Sequence, residues 1–207
     1  MSRMSLLSVP VKRLLPCAAG LFVLSAMAIG HAAPQSSMSK TTTAPETFNA
    51  RASVGTAQGR SDAYLTVRVD KYSTEKDIQA MEKALKDGGS AAFVTALKAA
   101  PVVGHLEVGD KKFTIRWARQ TATPKGRTIS FVVDSPVYFI GAGMPGAKSK
   151  AGFDVAIVQL VMDSSGVGEG KLAAAAKVKA GGTTGVEIEA YDAEPVVLKS
   201  VMRVIAP

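Results

Sequence analysis

The chain has 207 residues, a formal net charge of +8 and 47% hydrophobic residues. Its single cysteine excludes an internal disulfide bond, and its two histidines argue against a multi-histidine zinc site. Three positive charges lie in the first 32 residues, so the rest of the chain carries +5, a moderate excess that is typical of a solubilising surface and does not by itself indicate nucleic-acid binding.

Residues 1–32 have the pattern of a secretory signal peptide: basic residues, an apolar stretch from Leu14 to Ile29, and a small-residue end. We expect cleavage after Ala32, with Ala28 as the alternative site. An uncleaved membrane anchor is the competing interpretation, since the apolar stretch is close to the length that spans a bilayer. The pattern predicts a periplasmic or secreted protein that meets the membrane only through this segment.

The next segment, residues 33–46, is rich in Ser, Thr and Pro and has no apolar period. This composition predicts a disordered leader. The remaining residues, 47–207, are numerous enough for one domain with a sizeable core. We therefore expect a single β-rich domain after the leader.

Alternation of apolar and polar residues dominates this domain and predicts half-buried antiparallel strands. Residues 155–162 are apolar on both faces, which favours a central strand. The alanine-rich segment 168–182 is open to helix or strand, and its glycine-rich boundaries favour strand. The predicted strands are "FNARASV", "YLTVRVDKY", "VVGHLEV", "KFTIRWAR", "RTISFVVD", "FDVAIVQLVMD", "GKLAAAAKVKA", "GVEIEAY" and "VVLKSVMRV".

A helical pair at residues 74–100 interrupts the strands. Thr74 and Asp77 have the spacing of a capping box, Gly88 is the predicted stop of the first helix, and Pro101 ends the second. The fold class is thus α+β: a predominantly antiparallel barrel or sandwich of about eight or nine strands, with the helical pair inserted between the second and third.

Several blocks in fixed order, "RVDKYSTEKDIQAMEKALKDGGSAAFVTALKAAPVVGHLEV", "RWARQT", "GEGKL" and "VEIEAYDAEPVVLKSV", resemble a family of uncharacterised secreted bacterial proteins. The resemblance covers roughly residues 62–204. No activity is established for that family, so the resemblance implies no functional residues.

The spacing of Gly141, Gly143 and Gly146, with Lys148 behind them, resembles a nucleotide-binding loop. Such a loop needs a helix at its last glycines to hold the phosphates. Too few residues follow Gly146 before the next strand for a helical crossover, and Lys148 is one residue too late for a P-loop. We interpret the segment as a glycine-rich turn between antiparallel strands.

His105 is the one histidine beyond the signal segment, and Glu107 is predicted to share its strand face. That pair would suit the base and orienting acid of a hydrolase, but no nucleophile motif accompanies it. The carboxylate pairs Glu187 with Glu189 and Asp192 with Glu194 could in principle do acid–base chemistry, but alternation places Glu187 and Glu189 on an outer face, where such residues normally face water.

Basic residues flank Trp117 at Arg116 and Arg119, yet alternation places Trp117 with Phe113 and Ile115 in the core, which disfavours nucleic-acid binding.

No catalytic residue, metal site or cofactor is assigned from the sequence. The favoured function is a non-catalytic binding module for an apolar small ligand or an anionic cell-envelope partner, because a closed sheet can enclose an apolar cavity. Phe93, Leu97 and Trp117 are the candidate ligand-binding residues. A hydrolase acting on envelope or extracellular substrates is the alternative.

Overall fold

The computed structural model describes residues 43–56, 59–139, 148–181 and 185–204. For residues 54–56 and 59–61 it describes the backbone only. The predicted signal peptide, most of the predicted leader and the glycine-rich loop lie outside these residues. The strands are β1 (Glu46–Thr56), β2 (Gly59–Val69), β3 (Gly104–Val108), β4 (Lys111–Thr123), β5 (Gly126–Val133), β6 (Val155–Asp163), β7 (Val167–Ala180), β8 (Val186–Tyr191) and β9 (Val196–Val204), with one helix, α1 (Glu75–Ala99).

Eight strands form a closed antiparallel barrel in the order β1-β2-β3-β4-β5-β6-β7-β9, and β9 pairs with β1 to complete the ring. The ninth strand, β8, is an extra strand on β7. The prediction of a predominantly antiparallel β fold with a helical insert between the second and third strands is confirmed, and the barrel is the form that it takes. β1 already starts at Glu46, the residue at which the predicted leader ends.

The barrel interior is filled by the inward half of each alternating strand. One continuous cluster includes two aromatic rings, Phe48 and Phe131, whose centroids are 6.4 Å apart. Alanines of β7, which the sequence left open to helix, supply small inward side chains at Ala174 and Ala175. Close packing of this kind is what lets a domain without a disulfide bond stay folded.

The helix lies on the outside of the barrel. Its first turn has the predicted capping box between Thr74 and Asp77. The two predicted helices form one element that kinks at Gly89, whose φ of 66° is a conformation that glycine adopts at little cost. The buried face of α1 joins a second cluster with outward residues of the barrel wall. This helix is not apolar enough to cross a membrane, and no other helix occurs among the described residues.

A β-bulge in β4 decides which face Trp117 occupies. The register of β4 with β5 shifts between Ile115 and Trp117, so one residue is added on the β4 side. Ile115 points into the barrel, whereas Trp117 points outward and packs under α1. Trp117 is buried as alternation indicates, but on the opposite side of the wall from Ile115.

Strand β7 is longer than its neighbours and leaves the barrel wall. Its first part pairs with β6 and β9, the register becomes irregular between Ala173 and Ala176, and its last part pairs with β8. Val178 of β7 and Val186 of β8 pack against α1 in the outer cluster. The β7–β8 ribbon therefore curls over the outer face of the barrel beside the helix.

Candidate functional site

A groove of about 360 Å³ lies between the outer barrel wall and strand β8. Its floor is made by outward side chains of four consecutive barrel strands, and its other wall by β8 and the residues that follow it. We call it the Trp117 groove. Its lining is Trp117, Ser130, Val132, Ile157, Gln159, Lys171, Ala173, Val186, Glu187, Ile188, Tyr191 and Pro195.

Both apolar and polar groups line the Trp117 groove. Val132, Ile157 and Ile188 are apolar lining residues. Gln159 and Lys171, register partners on β6 and β7, and Glu187 on β8 are exposed polar lining residues. Ligand sites of proteins are commonly apolar clefts with a few polar groups that fix the orientation of the ligand. The groove has this character, and its volume suits one small molecule.

Trp117 contributes an unusual polar atom to this region. The side chain is 1% exposed, and its Nε1 is buried without a hydrogen-bond partner among the described residues. Buried indole N–H groups normally find an acceptor, because leaving one unpaired costs free energy. Because this nitrogen is fully buried, a molecule in the groove does not reach it in this structure.

The structure brings the three candidate residues from the sequence into one cluster but gives them different positions. Phe93 and Leu97 of α1 are fully buried between the helix and the barrel wall, together with Trp117. Of the three, Trp117 alone is in the lining of the groove. Phe93 and Leu97 hold the helix against the residue that lines the site.

His105 lies on β3, on the outer face of the barrel away from the groove. Its Nδ1 is 4.0 Å from Oδ2 of Asp70, and its side chain is 29% exposed. Glu107, which the sequence offered as its orienting acid, instead lies 3.7 Å from Nζ of Lys112. His105 therefore has an acidic neighbour, and Thr114 of β4 is its cross-strand partner, but among the described residues His105 makes no hydrogen bond to the Thr114 hydroxyl.

The carboxylates of β8 are engaged with lysines of β7. Glu187 lies 3.8 Å from Lys179, and Glu189 lies 3.3 Å from Lys177, both on exposed side chains. Exposed pairs of this type contribute little to stability. Their water-facing position agrees with the sequence analysis.

Asp192, just after β8, forms contacts that connect different segments of the fold. It accepts hydrogen bonds from Lys150 and from the hydroxyl of Tyr138, and the hydrogen bond from Lys150 is the main cause that lowers the pKa of Asp192. Burial and the bond to Asp192 raise the pKa of Tyr138 to about 12. An ionised Asp192 thus ties the segment after β5 to the end of β8.

One end of the barrel is closed by a buried polar cluster that the sequence analysis did not identify. Arg127 binds both carboxylate oxygens of Glu46, with its Nη1 at 2.9 Å from Oε2 and its Nη2 at 2.6 Å from Oε1. Tyr72 donates to the same carboxylate at 2.6 Å, Gln120 accepts from Arg127 at 2.9 Å, and Arg203 lies 3.5 Å from Glu46.

The geometry of this cluster keeps Glu46 ionised. Burial opposes the charged form, but hydrogen bonds from Arg127 and Tyr72 outweigh it and lower the pKa of Glu46. Burial, together with the bond to Glu46, raises the pKa of Tyr72. Because each charged or polar group has its partner, we interpret the cluster as a structural closure of the barrel end.

Metal binding finds no support in the part of the chain that the structure describes, where no three His, Cys, Asp or Glu side chains are grouped to hold an ion. The predicted glycine loop lies at residues 140–147 and is outside that part, although exposed Lys148 is within it.

The fold and the groove define the class of molecule: an eight-stranded antiparallel barrel with an outer helix and a surface cleft under an extra strand. No family model, curated protein or solved structure matches the chain.

Proposed function

We propose that this protein is a non-catalytic binding module of the periplasm or the extracellular space, and that the Trp117 groove holds a small apolar or amphipathic ligand. The observation that carries the proposal is the groove itself, a cleft of about 360 Å³ that is lined by both apolar and polar side chains. A cleft of this composition binds by burying apolar surface of the ligand, which contributes about 25 cal/mol per Å².

The rigidity of its floor also supports this site. The helix and the β7–β8 ribbon cover the barrel wall on either side, so the floor of the groove is a fixed surface. Preformed sites avoid the cost of ordering on binding.

Trp117 is the single tryptophan of the chain, so its fluorescence reports on this groove directly. We expect the neutral apolar fluorophore N-phenyl-1-naphthylamine to bind and to accept excitation energy from Trp117. Ile188→Asp should weaken binding about tenfold, since a charge placed in the apolar wall costs roughly 1.4 kcal/mol or more. Titration followed by energy transfer measures both.

Val102→Asp is the matched control, because Val102 is an exposed apolar residue outside the groove and receives the same charge. The control should bind the fluorophore as the unaltered protein does. Absence of energy transfer from Trp117, or equal binding by the Ile188→Asp and Val102→Asp variants, would contradict the proposed site.

The hydrolase alternative depends on His105. We expect His105→Ala to leave binding of the fluorophore unchanged, because His105 lies on β3 and is not part of the groove lining. Removal of a general base lowers turnover by about a hundredfold or more. Hydrolysis of model esters by the unaltered protein that is abolished in a folded His105→Ala variant would establish the enzyme instead.

A further inference from the structure

A second groove, of about 700 Å³, opens on the outer face of β6 and β7. It lies toward the barrel end that Glu46 and Arg127 close, and it includes exposed apolar residues Val161, Val167 and Val197. Gln159 and Lys171 line this groove as well as the Trp117 groove. The two grooves therefore meet at one pair of polar residues.

Lys171 differs from the other outward lysines of β7. Lys177 and Lys179 lie beside Glu189 and Glu187, whereas Lys171 has no ion-pair partner within the described ranges. Its neighbours across the strands are uncharged, Gln159 on β6 and Val197 on β9. A cation without a counter-ion at the edge of an apolar cleft is suited to an anion on the ligand.

The charges around this junction limit the anion. The linings of the two grooves carry three carboxylates, Glu187, Asp163 and Glu169, and two cations, Lys171 and Lys125. Because carboxylates outnumber cations along the two linings, a second negative charge on the ligand would be repelled, which favours a monoanion over a dianion. A carboxylate is a monoanion at neutral pH that the amide of Gln159 can also bind by donating a hydrogen bond.

Solvent reaches the junction, and this matters for the energy of binding. Lys171 and Gln159 are exposed side chains, and the second groove is open beside them. A carboxylate at this point keeps part of its hydration and escapes most of the cost of burying a charge. Only the apolar part of the ligand needs to enter the Trp117 groove.

We infer that the ligand of the Trp117 groove is a single-chain amphiphile with a carboxylate head, whose head is bound by Lys171 and Gln159 and whose chain lies along Val132, Ile157 and Trp117. This inference rests on the proposed function of the groove. It adds the chemical class of the ligand and the residue that selects it.

The test is displacement of N-phenyl-1-naphthylamine by dodecanoate, by 1-dodecanol and by dodecyl phosphate, each below its aggregation limit. Dodecanoate should displace the fluorophore at a concentration about tenfold lower than dodecanol and lower than dodecyl phosphate. Lys171→Met should remove the preference for dodecanoate while leaving displacement by dodecanol unchanged. Lys199→Met, at an exposed lysine of β9 outside both grooves, should keep the preference.

The outcomes separate the two proposals. If dodecanol displaces the fluorophore and dodecanoate does so no better, the carboxylate inference is wrong and the apolar site stands. If neither compound displaces it and Ile188→Asp has no effect, the site itself is wrong. Stronger displacement by dodecyl phosphate than by dodecanoate would overturn the inference in favour of a phosphate ligand. Sedimentation of the protein with phosphatidylglycerol vesicles that depends on Lys171, without preference for free dodecanoate, would overturn it in favour of an anionic lipid surface.

Discussion

Glu46→Gln is expected to lower the free energy of unfolding by about 3–5 kcal/mol, although the substitution keeps the shape of the side chain. Glu46 is 3% exposed and is the carboxylate that Arg127 binds through two nitrogens. Neutralising it leaves the guanidinium buried without a counter-ion. The loss would be a large part of the 5–15 kcal/mol that typically keeps a domain folded.

Urea unfolding, followed by Trp117 fluorescence and circular dichroism, measures this change. The control is Asp87→Asn, which removes the exposed ion pair between Lys83 and Asp87 of the helix and should cost less than about 0.5 kcal/mol. The double variant Glu46→Gln with Arg127→Met should be more stable than Glu46→Gln alone, because it removes the unpaired charge. A loss in Glu46→Gln no larger than in Asp87→Asn would show that the cluster does not hold the barrel end.

The Glu46–Arg127 pair also predicts how the free energy of unfolding depends on pH. The pKa of Glu46 is lower in the folded protein than the usual value of about 4.3 for an unfolded chain. Its stabilisation is therefore complete above about pH 4.3 and is lost as the pH falls through the lower folded value. The unaltered protein should lose more stability than Glu46→Gln between pH 6 and about pH 3, and equal slopes would contradict the assignment.

The sequence was informative where each strand has one buried and one exposed face. Alternation located the strands, and the capping box located the start of α1 at Thr74. Alternation could not distinguish a barrel from a sandwich, because closure depends on the pairing of β9 with β1, two strands that are distant in the chain. Periodicity also misjudged burial in part of β6. Its apolar run indicates burial on both faces, but Val161 is 54% exposed on the outer wall.

The same periodicity could have indicated the buried ion pair between Glu46 and Arg127. Arg127 continues the inward series of Ile129, Phe131 and Val133, and Glu46 continues the inward series of Phe48. A charged residue at each inward position, on strands far apart in sequence, is a signal that two opposite charges share the interior. Their pairing itself depends on the barrel register and could not be read from either segment alone.

The Trp117 groove depends on two irregularities that the sequence does not signal clearly. The bulge after Ile115 turns Trp117 outward, and the irregular register after Ala173 lets β8 curl over the wall. Alternation through Phe113 and Ile115 assigned Trp117 to the other face. Residues of the groove such as Ser130 and Gln159 are ordinary polar positions of amphipathic strands until these two features bring β8 above them.

Phe93→Ala is expected to destabilise the protein by about 3–5 kcal/mol, the usual cost of removing a fully buried aromatic ring. Phe93 is 0% exposed and follows the kink of α1 at Gly89, so it fixes the second half of the helix to the barrel. It belongs to the same cluster as Trp117 and Val132, both of which line the groove. The cavity left by the ring therefore lies next to the site.

Two measurements separate this role from a general loss of packing. Urea unfolding gives the change in stability, with Lys98→Ala as control, since Lys98 is exposed on the same half of α1 and alanine favours helix. Under conditions where the variant is still folded, Trp117 emission should shift to the red and N-phenyl-1-naphthylamine should bind more weakly, because the helix no longer fixes the floor of the groove. A loss below about 1 kcal/mol with unchanged Trp117 emission would mean that α1 is not what holds Trp117 in place.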